Sequence, residues 1–119
     1  MELGPNQTQW LTALRSGTYA QGPFSLRVGD NHCCLGVACE VFNVVKVTPW
    51  NSADTRYGDA EETTSAPKEI IELLQFYGVV GEDLDGNNSL AGMNDNGRTF
   101  AEIATIIETH PERYFRSPK

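Results

Sequence analysis

The chain has 119 residues, nine Lys or Arg against sixteen Asp or Glu, and a formal charge of −7. That length suits one domain able to bury a core without disulfide or metal staples, and the balance of apolar and polar residues excludes wholesale disorder. The acidic charge opposes binding to nucleic acid, whose affinity rests on basic neutralisation of phosphates.

The longest apolar run is too short and interrupted to cross a bilayer, so no membrane partner is expected. The opening Met-Glu-Leu-Gly-Pro has no basic region leading into an apolar one, so no signal peptide is expected. Three cysteines, Cys33, Cys34 and Cys39, read as reduced thiols of a cytoplasm, since adjacent cysteines rarely bridge each other without strain.

In chain order, Pro5 suits a first helical turn, and Trp10, Leu11 and Leu14 follow at helical spacing, which predicts a helix over 6–16 with Gly17 as its C-cap. Phe24, Leu26 and Val28 alternate with Ser25 and Arg27, which predicts a half-buried strand over 24–28, followed by a turn at 29–31. Residues 34–45 are apolar almost all round and predict a buried helix, with Gly36 inside it marking close approach of another element. Lys46 to Thr48 predicts a short strand, and 50–64 a long polar loop.

Ser65 reads as an N-cap ahead of a helix with Ile70, Ile71, Leu73, Leu74 and Tyr77 on one face, closed by Gly78. Val79 and Val80 predict a short strand, and 81–88 a turn-rich acidic loop. Ser89 to Asn94 predicts a single helical turn with Leu90 and Met93 inward. Thr99 and Glu102 form a capping box ahead of Ile103, Ile106 and Ile107, and Pro111 ends that helix. The tail is expected to fray, with Tyr114 and Phe115 able to dock. The expected fold is α+β: a single domain over 1–119, with three to four helices and a small antiparallel sheet or hairpin.

Several groupings carry candidate chemistry. His32 with Cys33, Cys34 and Cys39 has zinc-binding side chains but lacks a Cys-x-x-Cys pair, so packing is the expected role of the thiols. No base and orienter stand at the spacing a cysteine nucleophile requires, so no catalytic residue, no metal and no cofactor is expected. Asp83-Leu-Asp85-Gly-Asn87 misplaces the glycine of a calcium loop. Residues 89–108 outline a helix-turn-helix with Arg98 as the one basic residue, a poor match to DNA. Arg15, Tyr19, Gln21 and Arg27 stand near a glycine-rich turn and the start of the buried helix. Helix N-termini bind anions, Arg offers a bidentate fork and Tyr a stacking face. Arg15 and Arg27 read equally as ordinary surface residues.

The chain resembles a family of short proteins encoded in bacteriophage and prophage genomes. The residues that carry the resemblance are Trp10, Ala13 to Gly17, Tyr19, Gln21 and Gly22, then Leu26-Arg27, then Cys33-Cys34-Leu35-Gly36-Val37 with Cys39-Glu40. Pro67 with its helix follows, then Leu90, Met93-Asn94-Asp95, Gly97, Thr99-Phe100, Glu102-Ile103-Ala104 and Ile107. The resemblance implies a host cytoplasm and brings no known active site. By analogy with small phage proteins that act by binding, it implies a non-enzymatic protein that sequesters a nucleotide-like immune signal of the host, as a homo-oligomer with ligand at subunit boundaries. Arg15, Tyr19, Gln21 and Arg27 would contact that ligand, and Arg56 and Tyr57 would complete the pocket. The alternative is an acidic inhibitor of a host protein, or a nucleic-acid mimic, working through Asp59, Glu61, Glu62 and Asp83. A helix-turn-helix DNA binder is the third reading.

Overall fold

A computed structural model describes all 119 residues. Pro5 opens α1 (Pro5–Arg15), and the side-chain carbonyl of Gln7 accepts from the Gly4 N–H at 2.9 Å, a cap reaching back one turn. Trp10, Leu11 and Leu14 form its buried stripe. The indole N–H of Trp10 donates to the Cys34 carbonyl at 2.9 Å. That bond spares a buried donor and fixes α1 against α2 (Cys34–Val41), a helix buried from Cys34 through Cys39.

Gly36 explains how α2 packs so deeply. A Cβ at this position would collide with the carbonyl of Leu26, so only glycine admits the chain carrying Leu26 across the helix. The helix ends at Val41, four residues short of the predicted end. Asn43 turns left-handed, at φ 54°, which Asn tolerates better than most residues. Val44 then folds back under the helix, its N–H on the Cys39 carbonyl.

The strands are β1 (Ala20–Gln21), β2 (Arg27–Val28), β3 (Asn31–His32), β4 (Lys46–Val47) and β5 (Arg56–Tyr57). β1 pairs parallel and β2 antiparallel with the central β3, and β4 pairs antiparallel with β5. The two sheets are joined: Val28 stands opposite Asp54, the Gly29 N–H donates to Ala53, and the Thr55 N–H donates to Arg27. The order across the molecule is therefore β1-β3-β2-β5-β4. The predicted strand over 24–28 begins only at Arg27. Phe24 is left-handed at φ 74°, its N–H held by the Asp95 carboxylate at 2.7 Å, and its ring is 67% exposed. The long loop also departs from expectation, because it contains β5 and buries Tyr57.

Next come α3 (Lys68–Leu74), α4 (Leu90–Asp95) and α5 (Phe100–Thr109). The cap of α3 is Pro67, not Ser65, and Asp59 accepts the Lys68 N–H at 3.0 Å. The helix closes at Gln75, in the left-handed region at φ 62°. Closing there turns Phe76 inward to stack on Phe115, with ring centroids 5.9 Å apart, both edge-on to Trp10. Val79 and Val80 form a turn, their carbonyls taken by Ala66 and Ala91 N–H groups. Ser89 caps α4, and Thr99 with Glu102 forms the capping box of α5. The tail does not fray: Gln7 binds the Ser117 carbonyl by its side chain and the Lys119 carbonyl by its N–H, while the Arg116 N–H reaches Gln75. The result is an α+β domain of five helices and short mixed strands around one cluster of 23 buried residues.

Asn94 ties these parts together. Its Oδ1 accepts from the Cys34 N–H at 3.2 Å and from Gln21 Nε2 at 2.9 Å, and its Nδ2 donates to the Gly22 carbonyl at 2.9 Å. Asn94→Ala leaves the buried Cys34 N–H and the half-buried Gly22 carbonyl without partners and opens a cavity at a buried position. It is expected to lower unfolding free energy by about 3 kcal/mol, read as an earlier urea midpoint at unchanged slope; a loss within about 0.5 kcal/mol would contradict this role.

Candidate functional site

The residues expected to hold a nucleotide-like ligand do not gather in one place. Arg15 pairs with Glu108 at 2.9 Å across α1 and α5. The Tyr19 ring lies edge-on to His32, with centroids 5.4 Å apart. Gln21 is consumed by the fold: beyond Asn94, its Nε2 donates to the Arg98 carbonyl at 2.7 Å and its Oε1 accepts the Phe100 N–H at 3.1 Å. The start of α2, expected to attract an anion, is occupied by the Asn94 side chain. Arg27 and Tyr57 do meet, but on a protein carboxylate. Arg56 stands exposed and makes no ion pair within 4.0 Å.

That carboxylate is Glu40, near the end of α2. Tyr57 donates to its Oε2 at 2.6 Å, Lys46 approaches both oxygens at 3.0 and 3.1 Å, and Arg27 lies at 3.4 Å. Burial pushes Glu40 upward, but the Tyr57 hydroxyl, Lys46 and Arg27 outweigh it and hold the carboxyl below its ordinary value. Burial and the hydrogen bond to Glu40 push the Tyr57 phenol well up, so it stays protonated and keeps donating.

Beside this group, His32 is paired in register with Arg27 on β2. It is buried, and neither ring nitrogen makes a hydrogen bond of good geometry, the Ala20 backbone being the nearest candidate. Burial pushes its pKa below the ordinary 6.5 and Arg27 adds to the shift, while Glu40 and the Ala20 backbone oppose it. The thiols nearby are core groups: burial raises Cys33 to about 11, and Cys34 and Cys39 rise as well. No group of three or more His, Cys, Asp or Glu side chains is placed to hold a metal ion.

The acidic residues named for the alternative reading are also separated by their roles. Asp83 is buried, accepts N–H bonds from Asn87 and Asn88 and pairs with Arg113 at 3.2 Å, so it closes the 83–88 loop and offers no surface. Asp59 caps α3, while Glu61 and Glu62 remain exposed beside a hollow of about 450 Å³ shared with Asp59 and Lys68.

The feature that sequence reasoning missed lies on the opposite face of the same sheet. Lys46 and Tyr57 are register partners, and both side chains reach Glu40, so they share the inner face. Their neighbours Val47 and Arg56, also paired, therefore point outward, with Val45 following Val47 by strand alternation. Val45 is 75% exposed and Val47 51% exposed. Trp50, at the turn beyond β4, is 97% exposed, whereas Trp10 is fully buried. Two shallow hollows of about 260 and 380 Å³ flank Val45, one shared with Glu40 and Lys46, the other with Lys68 and Glu72. The only sequence signal was alternation through Val45, Lys46 and Val47, hidden because Val45 also extends the apolar run of α2.

Residues 6–111 match the model of the family described as Domain of unknown function (DUF8296), and the chain belongs to that family. No curated protein and no solved structure matches it. No helix is long and apolar enough to cross a membrane.

The His32 arrangement predicts acid sensitivity. The unfolded chain takes up the His32 proton near 6.5, the folded chain only at lower pH, so stability falls as pH drops below 6.5 until the folded form also protonates. Glu40 adds a second loss further down, since the stability from its depressed pKa is present above 4.5 and disappears as pH falls through the folded value. Urea unfolding should show a lower midpoint at about pH 5.5 than at about pH 7.5, and His32→Gln should flatten that difference. Equal wild-type midpoints at the two pH values would refute the assignment.

Proposed function

We propose that this protein acts by binding a protein partner through the outer sheet face of Val45, Val47 and Arg56 with Trp50 at its tip, without chemistry of its own. The observation that carries this is Trp50. A fully solvated tryptophan beside two exposed valines is a costly surface to display, and large exposed aromatics next to apolar residues are the usual anchors of protein interfaces. Arg56, without an ion-pair partner in a chain of charge −7, adds the second residue type enriched at such anchors.

The dispersal of Arg15, Tyr19, Gln21 and Arg27 among structural contacts weighs against the small nucleotide ligand. The resemblance to phage-encoded proteins supports a host protein as the partner and a host cytoplasm as the place of binding. Within that setting the protein serves as an inhibitor or adaptor of a host factor, and its contact is apolar and cationic instead of acidic mimicry.

Trp50 is solvated in the free chain, so Trp50→Ala should leave the melting temperature within about 1–2 °C. A host protein retained by the immobilised wild-type chain should bind that variant at least about 30-fold more weakly, the cost of losing a hot-spot side chain. Arg15→Ala should bind like wild type. A panel of cyclic nucleotides and ADP-ribose derivatives should leave the melting temperature unmoved. A shift of several degrees with one nucleotide class, abolished by Arg27→Ala, would overturn this function in favour of the small ligand.

A further inference from the structure

The backbone at this face narrows the kind of partner. The far edge of the joined sheet, β1, is exposed but tethered, because the side chain of Gln21 ties it to the Arg98 carbonyl and to the first N–H of α5. The near edge, β4, has no such tether, and residues 45–48 are all exposed.

Its hydrogen-bond phase follows from one contact. Lys46 stands opposite Tyr57, which sets Val45 opposite Gly58, and the Gly58 N–H donates to the Val45 carbonyl at 2.7 Å. Residues 45 and 58 are thus a hydrogen-bonded pair. Antiparallel pairs alternate, so 47 with 56 is bonded, whereas 46 with 57 and 48 with 55 are not. The close approach of the Thr48 and Thr55 hydroxyls, 2.6 Å apart, fits the narrow side-chain spacing of such a non-bonded pair. The N–H and C=O groups of Lys46 and Thr48 therefore point away from β5, out of the sheet edge and into solvent.

Natural sheets blunt or cover edges of this kind, because unpaired strand groups recruit another strand. Here the edge is short and carries Lys46, yet it is flanked by Val45, Val47 and Trp50 with no cover over them. The chemistry presented is a ladder of free backbone donors and acceptors, an apolar outer face, and on that face the cation of Arg56, whereas Lys46 is held inside by Glu40. We propose that β4 receives an extended, acidic segment of the partner as an added strand. The segment's backbone would pair with Lys46 and Thr48, its outward side chains would lie on Val47 and Trp50, and its carboxylates would answer Arg56. This rests on the protein-binding function above and specifies its mode.

The probe is a surface-displayed library of random linear twelve-residue peptides selected against the full chain. Enriched peptides should be free of proline across a stretch of about five residues, alternate apolar with other residues, and carry Asp or Glu. With a selected peptide bound, the amides of Lys46 and Thr48 should gain at least about tenfold protection from hydrogen exchange, a measurement that needs no variant. Thr48→Pro removes an outward N–H and should weaken the peptide at least tenfold, whereas Thr48→Val, which loses only the hydroxyl, should stay within about threefold.

Peptides that depend on Trp50 but leave Lys46 and Thr48 amides unprotected would overturn strand addition while leaving the binding face intact. Enrichment of helical peptides would do the same. Peptides indifferent to Trp50→Ala, or no enrichment at all, would count against both the face and the added strand.

Discussion

The buried amide of Asn94 is the constraint on which the other positions depend. A single planar group satisfies the first free N–H of α2, the carbonyl of Gly22 and the side chain of Gln21 at once. The Cys34 N–H is buried and the Gly22 carbonyl half-buried, and leaving such a group unpaired costs about as much as a whole hydrogen bond gains. The amide suits this place because it offers donors and acceptors on one rigid fork; an aspartate would present only acceptors to the Gly22 carbonyl. From that point the geometry propagates. Asn94 sets the end of β1 against the start of α2, Gln21 then caps α5, and Asp95, the next residue, holds Phe24 in its left-handed turn.

Close packing at Gly36 carries the same order to the other side of α2. With Leu26 seated on the glycine, β2 leaves the helix at a fixed place, and Arg27 arrives within reach of Glu40. Glu40 in turn gathers Lys46 from β4 and Tyr57 from β5. A half-buried carboxylate with this many partners contributes less by net attraction than by fixing where its partners lie, since desolvation offsets much of the Coulomb gain. Its structural effect is to clamp the inner face of the β4–β5 hairpin onto the helix. The outer face is left presented on a rigid base, which lowers the ordering cost of any contact made there.

The sequence declared those parts whose signals are local. The α1 stripe of Trp10, Leu11 and Leu14, the capping box of Thr99 and Glu102 and the stop at Pro111 all depend on neighbours within a turn, and Gly36 announced a close approach without naming Leu26 as the partner. Boundaries decided by distant partners were not legible. Phe24 alternates correctly for a strand, but Asp95, far along the chain, captures its N–H and turns it outward. Tyr57 sits in a polar stretch, yet its ring joins the core and its hydroxyl meets Glu40, a partner distant in the chain. Arg15, Arg27 and Gln21 looked like ligand contacts because cationic and amide side chains near a helix start have that chemistry. Glu108, Glu40 and the α4–α5 turn claim them first, and no spacing rule places those partners. The charge of the whole chain pointed to an acidic surface, yet Asp83 is spent on Arg113 and Asp59 on the cap of α3.

The two tryptophans show what separates structure from use in this molecule. Trp10 fills the centre of the core, with its N–H on Cys34 and its ring between Phe76 and Phe115. Trp50 touches almost nothing. Burial of an aromatic of this size is among the largest single gains a small domain can make. A chain of this length that leaves one outside forgoes that gain within the monomer. The same hairpin is held firmly at its base by Glu40 and is open along its outer edge, so Trp50 stands on a fixed support beside unpaired backbone groups. Stability explains the clamp and the tether of Gln21; it does not explain an open β4 edge with a tryptophan at its end.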